Sequence, residues 1–114
     1  MCIAKETLDR LGDKWSVAVM HELSPGTRRF MELRRALPAI SKRMLTATLR
    51  ALEEDGLLER TVHPTVPPRV DYELTQLGRS LLESAWTVMN WGESHTSEIE
   101  LARQRFAERT QHAV

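Results

Sequence analysis

The sequence predicts a mainly α-helical fold with a small antiparallel β wing, a winged helix-turn-helix that dimerises through its terminal helices. Residues 30–55 hold a short apolar helix pattern, a proline-marked turn and a second helix pattern, which is the order of a helix-turn-helix. Residues 57–75 hold two alternating segments around a proline-rich connection, which predicts the wing. Residues 1–11 and 76–114 carry more apolar side chains than one small core covers, and these predict dimerisation helices. We expect a single domain over residues 1–114.

Two helices are expected before the helix-turn-helix. Residues 3–11 form a short amphipathic helix whose apolar side carries Ile3, Ala4, Leu8 and Leu11. After a break at residues 12–13, residues 14–23 form a strongly apolar second helix. Residues 24–26 form a loop, and residues 27–30 could form a brief strand.

Capping residues mark the limits of the helix-turn-helix. Residues 31–37 form its first helix, which Pro38 ends. Ser41 is a good N-cap for a second helix that runs to about residue 55, with Gly56 as its C-cap. The buried face of this second helix is made by Leu45, Leu49 and Leu52. Its exposed arc carries Lys42, Arg43, Thr46 and Arg50.

Two strands and a long helical region complete the chain. Residues 58–63 and 70–74 alternate as strands, and the connection over residues 64–69 is too long and proline-rich for a tight hairpin. We expect this connection to project as a stiff wing that carries Arg69. Thr75 can cap the last helical region, which we expect to bend or break at Gly92 before a helix resumes over residues 98–109.

The composition is that of a globular chain without recognisable catalytic chemistry. Of 114 residues, 41% are hydrophobic and 28% are charged. No apolar stretch approaches the ~20 residues of a membrane span, and no signal-peptide pattern is present. The single cysteine excludes an internal disulfide, so we expect a cytoplasmic protein that does not associate with membranes. The histidines lack metal-ligand spacing, and there is no nucleophile with a partnered base, so we predict no enzyme, no metal and no cofactor.

Charge is distributed unevenly along this neutral chain. Residues 26–70 contain nine Lys or Arg against five Asp or Glu, a net charge of +4, so the remaining residues carry −4. Nucleic acid responds to the local potential rather than to the sum over the chain. Lys42 and Arg43 also oppose the positive end of their helix dipole, a conflict that an approaching phosphate would relieve.

These observations predict a DNA-contacting surface. The alternative interpretation of the basic helix arc is a solvated, solubilising face. The proline-braced Arg69 suits insertion into a narrow minor groove, with an ordinary loop charge as the alternative. His63 could touch phosphate or be a neutral loop residue. The predicted DNA-binding residues are Arg29, Ser41, Lys42, Arg43, Thr46, Arg50 and Arg69.

The ends of the chain predict a homodimer and a possible sensor. The expected dimer interface includes Ile3, Leu8, Leu81, Trp86, Met89 and Trp91. The alternative for the C-terminal aromatic and methionine side chains is a ligand pocket between subunits. Cys2 lies just before the first helix, where thiols are often more reactive, and any disulfide it forms must join two chains or attach a small thiol. An inert small residue is the alternative for Cys2.

The motifs also resemble a known family, the HxlR-type winged helix-turn-helix transcriptional regulators, which are related to the MarR group. The resemblance covers residues 2–82 and rests on LGDKW at 11–15, RFMELRR at 29–35, ISKRMLT at 40–46, LRALE at 49–53, DGL at 55–57 and VPPRVDYELT at 66–75. It implies a dimer whose recognition helices enter successive major grooves, with wings supported by Leu57, Leu58, Tyr72 and Leu74 that reach the flanking minor grooves. It also implies a cysteine at position 2 that senses oxidants or electrophiles in some members. This chain has Ile3 where a proline commonly follows that cysteine, and Asp13 where the family usually has glycine.

The predicted function is that of a homodimeric, sequence-specific DNA-binding transcriptional regulator, a repressor that responds to redox state or to a small-molecule effector. Its partners would be operator DNA and a second copy of the chain. The alternative is a winged-helix protein-interaction module that does not bind DNA. A regulator predicts duplex binding with strong salt dependence, whereas the interaction module predicts none.

Overall fold

The computed structural model, which describes residues 2–112, contains six helices and a three-stranded antiparallel sheet. The elements, in chain order, are α1 (Ile3–Gly12), α2 (Lys14–Leu23), β1 (Arg28–Arg29), α3 (Phe30–Ala36), α4 (Lys42–Glu54), β2 (Leu58–His63), β3 (Arg69–Leu74), α5 (Gln76–Ser94) and α6 (Thr96–His112). The strand order is β1-β3-β2, so β3 lies in the middle of the sheet. The predicted fold class, mainly helical with a small wing, is confirmed.

One apolar core holds α4 against the rest of the domain. The predicted buried face of α4 is confirmed, because Leu45, Leu49 and Leu52 are all almost fully buried. Thr48 is buried beside them, which the leucine spacing alone did not predict. The other large side chains of the core are Val19, Met20, Leu23, Leu33, Ile40, Leu57, Leu58, Leu74 and Leu82. Helix α4 packs on α2 and β2, so its position is set by the core.

Side-chain caps start three of the helices. The Ser41 hydroxyl accepts the Met44 N–H at 3.0 Å, which confirms the predicted cap of α4. Thr75 accepts the Gly78 N–H at 3.0 Å and caps α5, as predicted. The Asp13 carboxylate caps α2 by accepting the Ser16 N–H at 3.1 Å. At the other end of α4, Gly56 adopts a φ of +74°, the left-handed conformation that glycine adopts without steric cost.

The junction between α4, the sheet and α5 is closely packed at Gly78. The Thr75 N–H donates to the Leu57 carbonyl at 3.1 Å, and the Thr75 hydroxyl donates to the Gly56 carbonyl at 2.7 Å. These bonds bring α5 so close to the chain after α4 that a Cβ on Gly78 would lie 2.0 Å from the Leu57 oxygen. Only glycine fits there without a backbone shift.

The predicted break at Gly92 is wrong. Helix α5 passes through Gly92 and ends at Ser94, and α6 begins at Thr96 rather than at residue 98. A glycine that keeps helical dihedrals weakens a helix by only about 1 kcal/mol, so it does not by itself end one. The helix ends where His95 leaves the helical conformation, with φ −113° and ψ 14°.

Candidate nucleic-acid interface

Helix α4 presents the predicted basic arc to solvent. Lys42, Arg43, Thr46 and Arg50 are all exposed, on an arc of the helix beside the buried leucines. Within residues 2–112, the Lys42, Arg43 and Arg50 side chains form no salt bridge. The arc is therefore a row of unneutralised cations and one hydroxyl on a rigidly held helix. Contact between this arc and DNA stays a prediction.

The first turn of α4 is electropositive from two sources. It contains no acidic side chain, and it carries Lys42 and Arg43 beside the positive end of the helix dipole. The Ser41 oxygen accepts the Met44 N–H, which leaves the hydroxyl hydrogen free to donate. A phosphate at this end would receive that hydrogen bond together with the two cations.

The hairpin of β2 and β3 forms the wing. Its loop is closed by the Thr65 N–H, which donates to the His63 carbonyl at 2.8 Å, and by the Thr65 hydroxyl, which donates to the Pro67 carbonyl at 2.8 Å. Val66 is fully exposed at the tip. The predicted strand over residues 58–63 is confirmed, but the expectation that Arg69 belongs to the projecting loop is wrong, because Arg69 begins β3 and pairs with His63 at the rung nearest the loop. Strand pairing ends beyond these two residues, because the prolines of the loop lack the backbone N–H that a strand ladder needs.

A cluster of three basic side chains surrounds Asp71 on β3. His63 Nε2 lies 2.9 Å from Asp71 Oδ2, Arg69 Nε lies 3.5 Å from Oδ1, and Arg29 Nε lies 4.0 Å from Oδ1. Arg29 and Arg69 were predicted as DNA contacts, and the structure brings them together at one carboxylate. Asp71 was not among the residues that the sequence pattern predicted to be functional. Its spacing of two from Arg69 on a strand placed both on one face, but the pairing with Arg29 depends on the register of β1.

Helix α1 carries Cys2 at its start and reaches α4 at its end. Cys2 is exposed at the N-cap position, and its carbonyl accepts the Lys5 and Glu6 N–H groups. At the other end, Arg10 Nη2 donates to Asp55 Oδ2 at 3.0 Å, and Asp55 is the C-cap of α4. An open groove of about 1010 Å³ lies between α1 and α5.

Most of the predicted dimer residues are exposed apolar side chains. Ile3 and Leu8 on α1 are 75% and 68% exposed. On α5, Trp86, Met89 and Trp91 are exposed as well. Leu81 differs from the rest, because it is half-buried, packs against the core of its own chain and lines the groove.

The described part of the chain has neither a candidate metal-ion cluster nor a helix that could cross a membrane. Residues 2–112 contain no group of three or more His, Cys, Asp or Glu side chains placed to hold a metal ion. Over the same range, each helix is too short or too polar to cross a membrane.

A basic helix arc that is exposed on a core-anchored helix and followed by a β wing defines a winged helix-turn-helix DNA-binding protein. The family model described as HxlR-like helix-turn-helix matches residues 10–100. The chain belongs to this family, and it is an HxlR-type transcriptional regulator.

Individual relatives agree with this assignment. YybR of Bacillus subtilis (strain 168), an uncharacterized HTH-type transcriptional regulator, is 42% identical over 102 residues, which are 90% of this chain and 82% of YybR. The redox regulator HypR in its oxidized form is 44% identical, with a TM-score of 0.72 over 82% of this chain and 96% of HypR. The reduced form of the transcriptional regulator YodB from B. subtilis is 33% identical, with a TM-score of 0.74 over 82% of this chain and 92% of YodB.

Proposed function

We propose that this regulator is a homodimeric repressor that binds operator DNA with α4 in the major groove and the wing on the flanking backbone. The observation that carries the proposal is the exposed arc of α4, whose three cations have no partner within residues 2–112. Unpaired cations at a helix N-terminus oppose the helix dipole in the free protein, so they favour an anionic partner. A dimer held across a promoter would block access of polymerase, which is the simplest route to repression.

Individual residues take different roles on the duplex. Lys42 and Ser41 lie at the first turn of α4, where phosphate contacts fix the position of the helix. Arg43, Thr46 and Arg50 lie along the exposed arc and reach base edges, and arginine pairs with guanine through two hydrogen bonds. Arg29 and Arg69 lie in the sheet and would hold the backbone beside the wing.

The salt dependence of duplex binding tests this proposal. Raising the salt from about 50 mM to about 200 mM should weaken binding by about 100-fold or more, because each neutralised phosphate releases counterions. Fluorescence anisotropy with a labelled duplex of about 30 base pairs, long enough for two half-sites about one helical turn apart, measures this. No binding at low salt would instead support the protein-interaction module.

A homodimer would bury the apolar surface that the single chain leaves open. Helix α6 contacts α5, and its Leu101 and Phe106 side chains are exposed. The described chain measures 67 × 29 × 27 Å, an elongated shape for 13.1 kDa. Exposed apolar surface rimmed by charge usually marks an interface, and a two-fold dimer covers the same patch on both subunits. Two copies would also present two recognition helices to successive major grooves.

A redox response through Cys2 is a second proposal for the same protein. The observations that favour it are the exposed thiol at the start of α1 and the likeness to the redox regulator HypR. Two Cys2 thiols from two chains would lose two electrons and two protons to an oxidant such as diamide and form one disulfide. The Arg10–Asp55 ion pair joins α1 to the end of α4, so a movement of α1 would also act on α4, the helix proposed to read DNA.

Operator binding before and after diamide, for the native chain and for Cys2→Ser, tests the redox proposal. We expect the native chain to change affinity and to run as a covalent dimer on non-reducing gels. Cys2→Ser should do neither, because no other cysteine is present. An equal response of both proteins would contradict a role for Cys2.

A further inference from the structure

The acidic side chain of Asp71 stands inside the basic surface of the wing, where a negative charge opposes DNA binding. Its carboxylate is only 19% exposed, whereas the side chains of His63, Arg69 and Arg29 are 33%, 42% and 58% exposed. The Asp71 carboxylate therefore lies beneath the three basic side chains, which are closer to solvent. A charge that only made the protein more soluble would be exposed, so the mostly buried position of Asp71 needs a different explanation.

The sheet register brings the four groups together. Asp71 pairs with Arg29 on one side, and Arg69 pairs with His63 two rungs further along the hairpin. Residues paired across antiparallel strands, and residues two apart on one strand, share a face of the sheet. All three strands thus contribute a basic side chain to one carboxylate.

Asp71 attracts the two arginines through ion pairs rather than hydrogen bonds, so their hydrogen-bonding capacity is not used up. Both guanidinium groups face Asp71 through Nε, at 3.5 Å and 4.0 Å. Each arginine keeps four further N–H donors on its two Nη atoms. Within residues 2–112 these Nη donors form no hydrogen bond for either Arg29 or Arg69. They are therefore free to bind an anion from solvent.

We propose that Asp71 is a positioning residue that pre-orders Arg29 and Arg69 to bind one phosphate segment of the DNA backbone beside the wing. A free arginine loses rotamer entropy of about 2 kcal/mol when it is fixed, and an arginine that is already held loses less on binding. The inference rests on the proposed DNA binding. It predicts that Asp71 strengthens DNA binding, although a negative charge by itself would weaken it.

Asp71→Asn and Glu73→Gln form a matched pair that separates charge from positioning. Both remove one negative charge from the same face of β3, and Glu73 is exposed and forms no ion pair within the described residues. Bulk electrostatics predicts that both variants bind DNA equally or more tightly. Positioning predicts that Asp71→Asn binds operator about 5- to 30-fold more weakly than wild type, the range expected for a lost charge-assisted contact, while Glu73→Gln does not. Operator binding by Asp71→Asn that equals or exceeds that of Glu73→Gln would overturn the proposal.

A double-mutant cycle tests whether Asp71 acts through Arg69. The Asp71→Asn effect on operator affinity should shrink to about twofold or less in the Arg69→Ala background, because the group being positioned is gone. An undiminished effect in that background would contradict positioning of Arg69. Exposed ion pairs contribute little to folding, so the melting temperatures of the variants should stay close to that of the wild type.

A measurement on the free protein distinguishes failure of this inference from failure of the proposed function. Nitrogen-15 relaxation of the Arg29 and Arg69 Nε–H groups should show greater motion in Asp71→Asn than in wild type or Glu73→Gln. Unchanged motion would overturn the positioning role whether or not DNA binds. Increased motion in a protein that binds no duplex at low salt would support the positioning role and contradict the proposed DNA binding.

Discussion

At the scale of single residues, two glycines of α5 differ in whether a side chain would fit in their place. Gly78 lies in the first turn of α5, where an added Cβ would meet the Leu57 carbonyl oxygen at 2.0 Å. Gly92 lies near the end of the same helix, and within residues 2–112 an added Cβ would meet no side chain and no other segment within 4 Å. The first glycine permits a close approach of two backbones, whereas the second costs helix stability with no packing benefit within the chain.

Gly78→Ala and Gly92→Ala should therefore change stability in opposite directions. We expect Gly78→Ala to lower the free energy of unfolding by about 3 kcal/mol, because the backbone of α5 must move away from Leu57. Gly92→Ala should raise it by about 0.5–1 kcal/mol through helix propensity. Thermal and urea unfolding at one fixed protein concentration measures both. A neutral Gly78→Ala would contradict the close approach of α5 to Leu57.

At the scale of elements, local signals were sufficient to predict α4 and its exposed arc. Ser41 caps the helix, Gly56 follows its end, and the leucine spacing sets the buried face. Each of these signals depends on residues within one or two turns of one another. The Thr75 cap and the two wing strands were predictable for the same reason.

Contacts between segments that are far apart in the sequence could not be predicted from local sequence patterns. The Asp71 cluster requires β1 to pair with β3 in one register, and β1 has only two residues. The importance of Gly78 arises from Leu57, which lies 21 positions earlier in the chain. The place of Arg69 at the first rung of β3 depends on where strand pairing ends, and the prolines beside it suggested a loop. These features follow from three-dimensional packing rather than from local propensity.

At the scale of the whole molecule, the proposed DNA binding involves two copies of the chain. The buried stripe of α5, which includes Leu82 and Ala85, continues outward into exposed Met89. The opposite side of α5 carries the exposed polar side chains of Glu83, Thr87, Asn90 and Ser94. The stripe that ends at Met89 is therefore suited to burial against a partner, whereas the opposite side is polar apart from the exposed Trp91.

Met89→Glu and Asn90→Glu test the dimer by placing the same charge on these two sides. We expect Met89→Glu to raise the dimer dissociation constant about tenfold or more, because a charge would enter an apolar interface without a partner. Asn90→Glu should leave the dissociation constant close to that of the wild type. Sedimentation equilibrium over a range of protein concentrations measures both values. A wild-type chain that remains at 13.1 kDa at all concentrations would contradict the dimer.

The central claim is that α4 reads base sequence in duplex DNA, and Arg43 tests it most directly. The measurement is the affinity of wild type and Arg43→Ala for an operator obtained by binding-site selection and for a scrambled duplex of equal length, at one salt concentration. We expect wild type to prefer the operator, and we expect Arg43→Ala to lose about 1–3 kcal/mol of operator affinity but much less affinity for the scrambled duplex. Equal losses of affinity on both duplexes would show that Arg43 contacts phosphate rather than bases. A wild-type protein that binds both duplexes equally would contradict the claim that α4 reads base sequence.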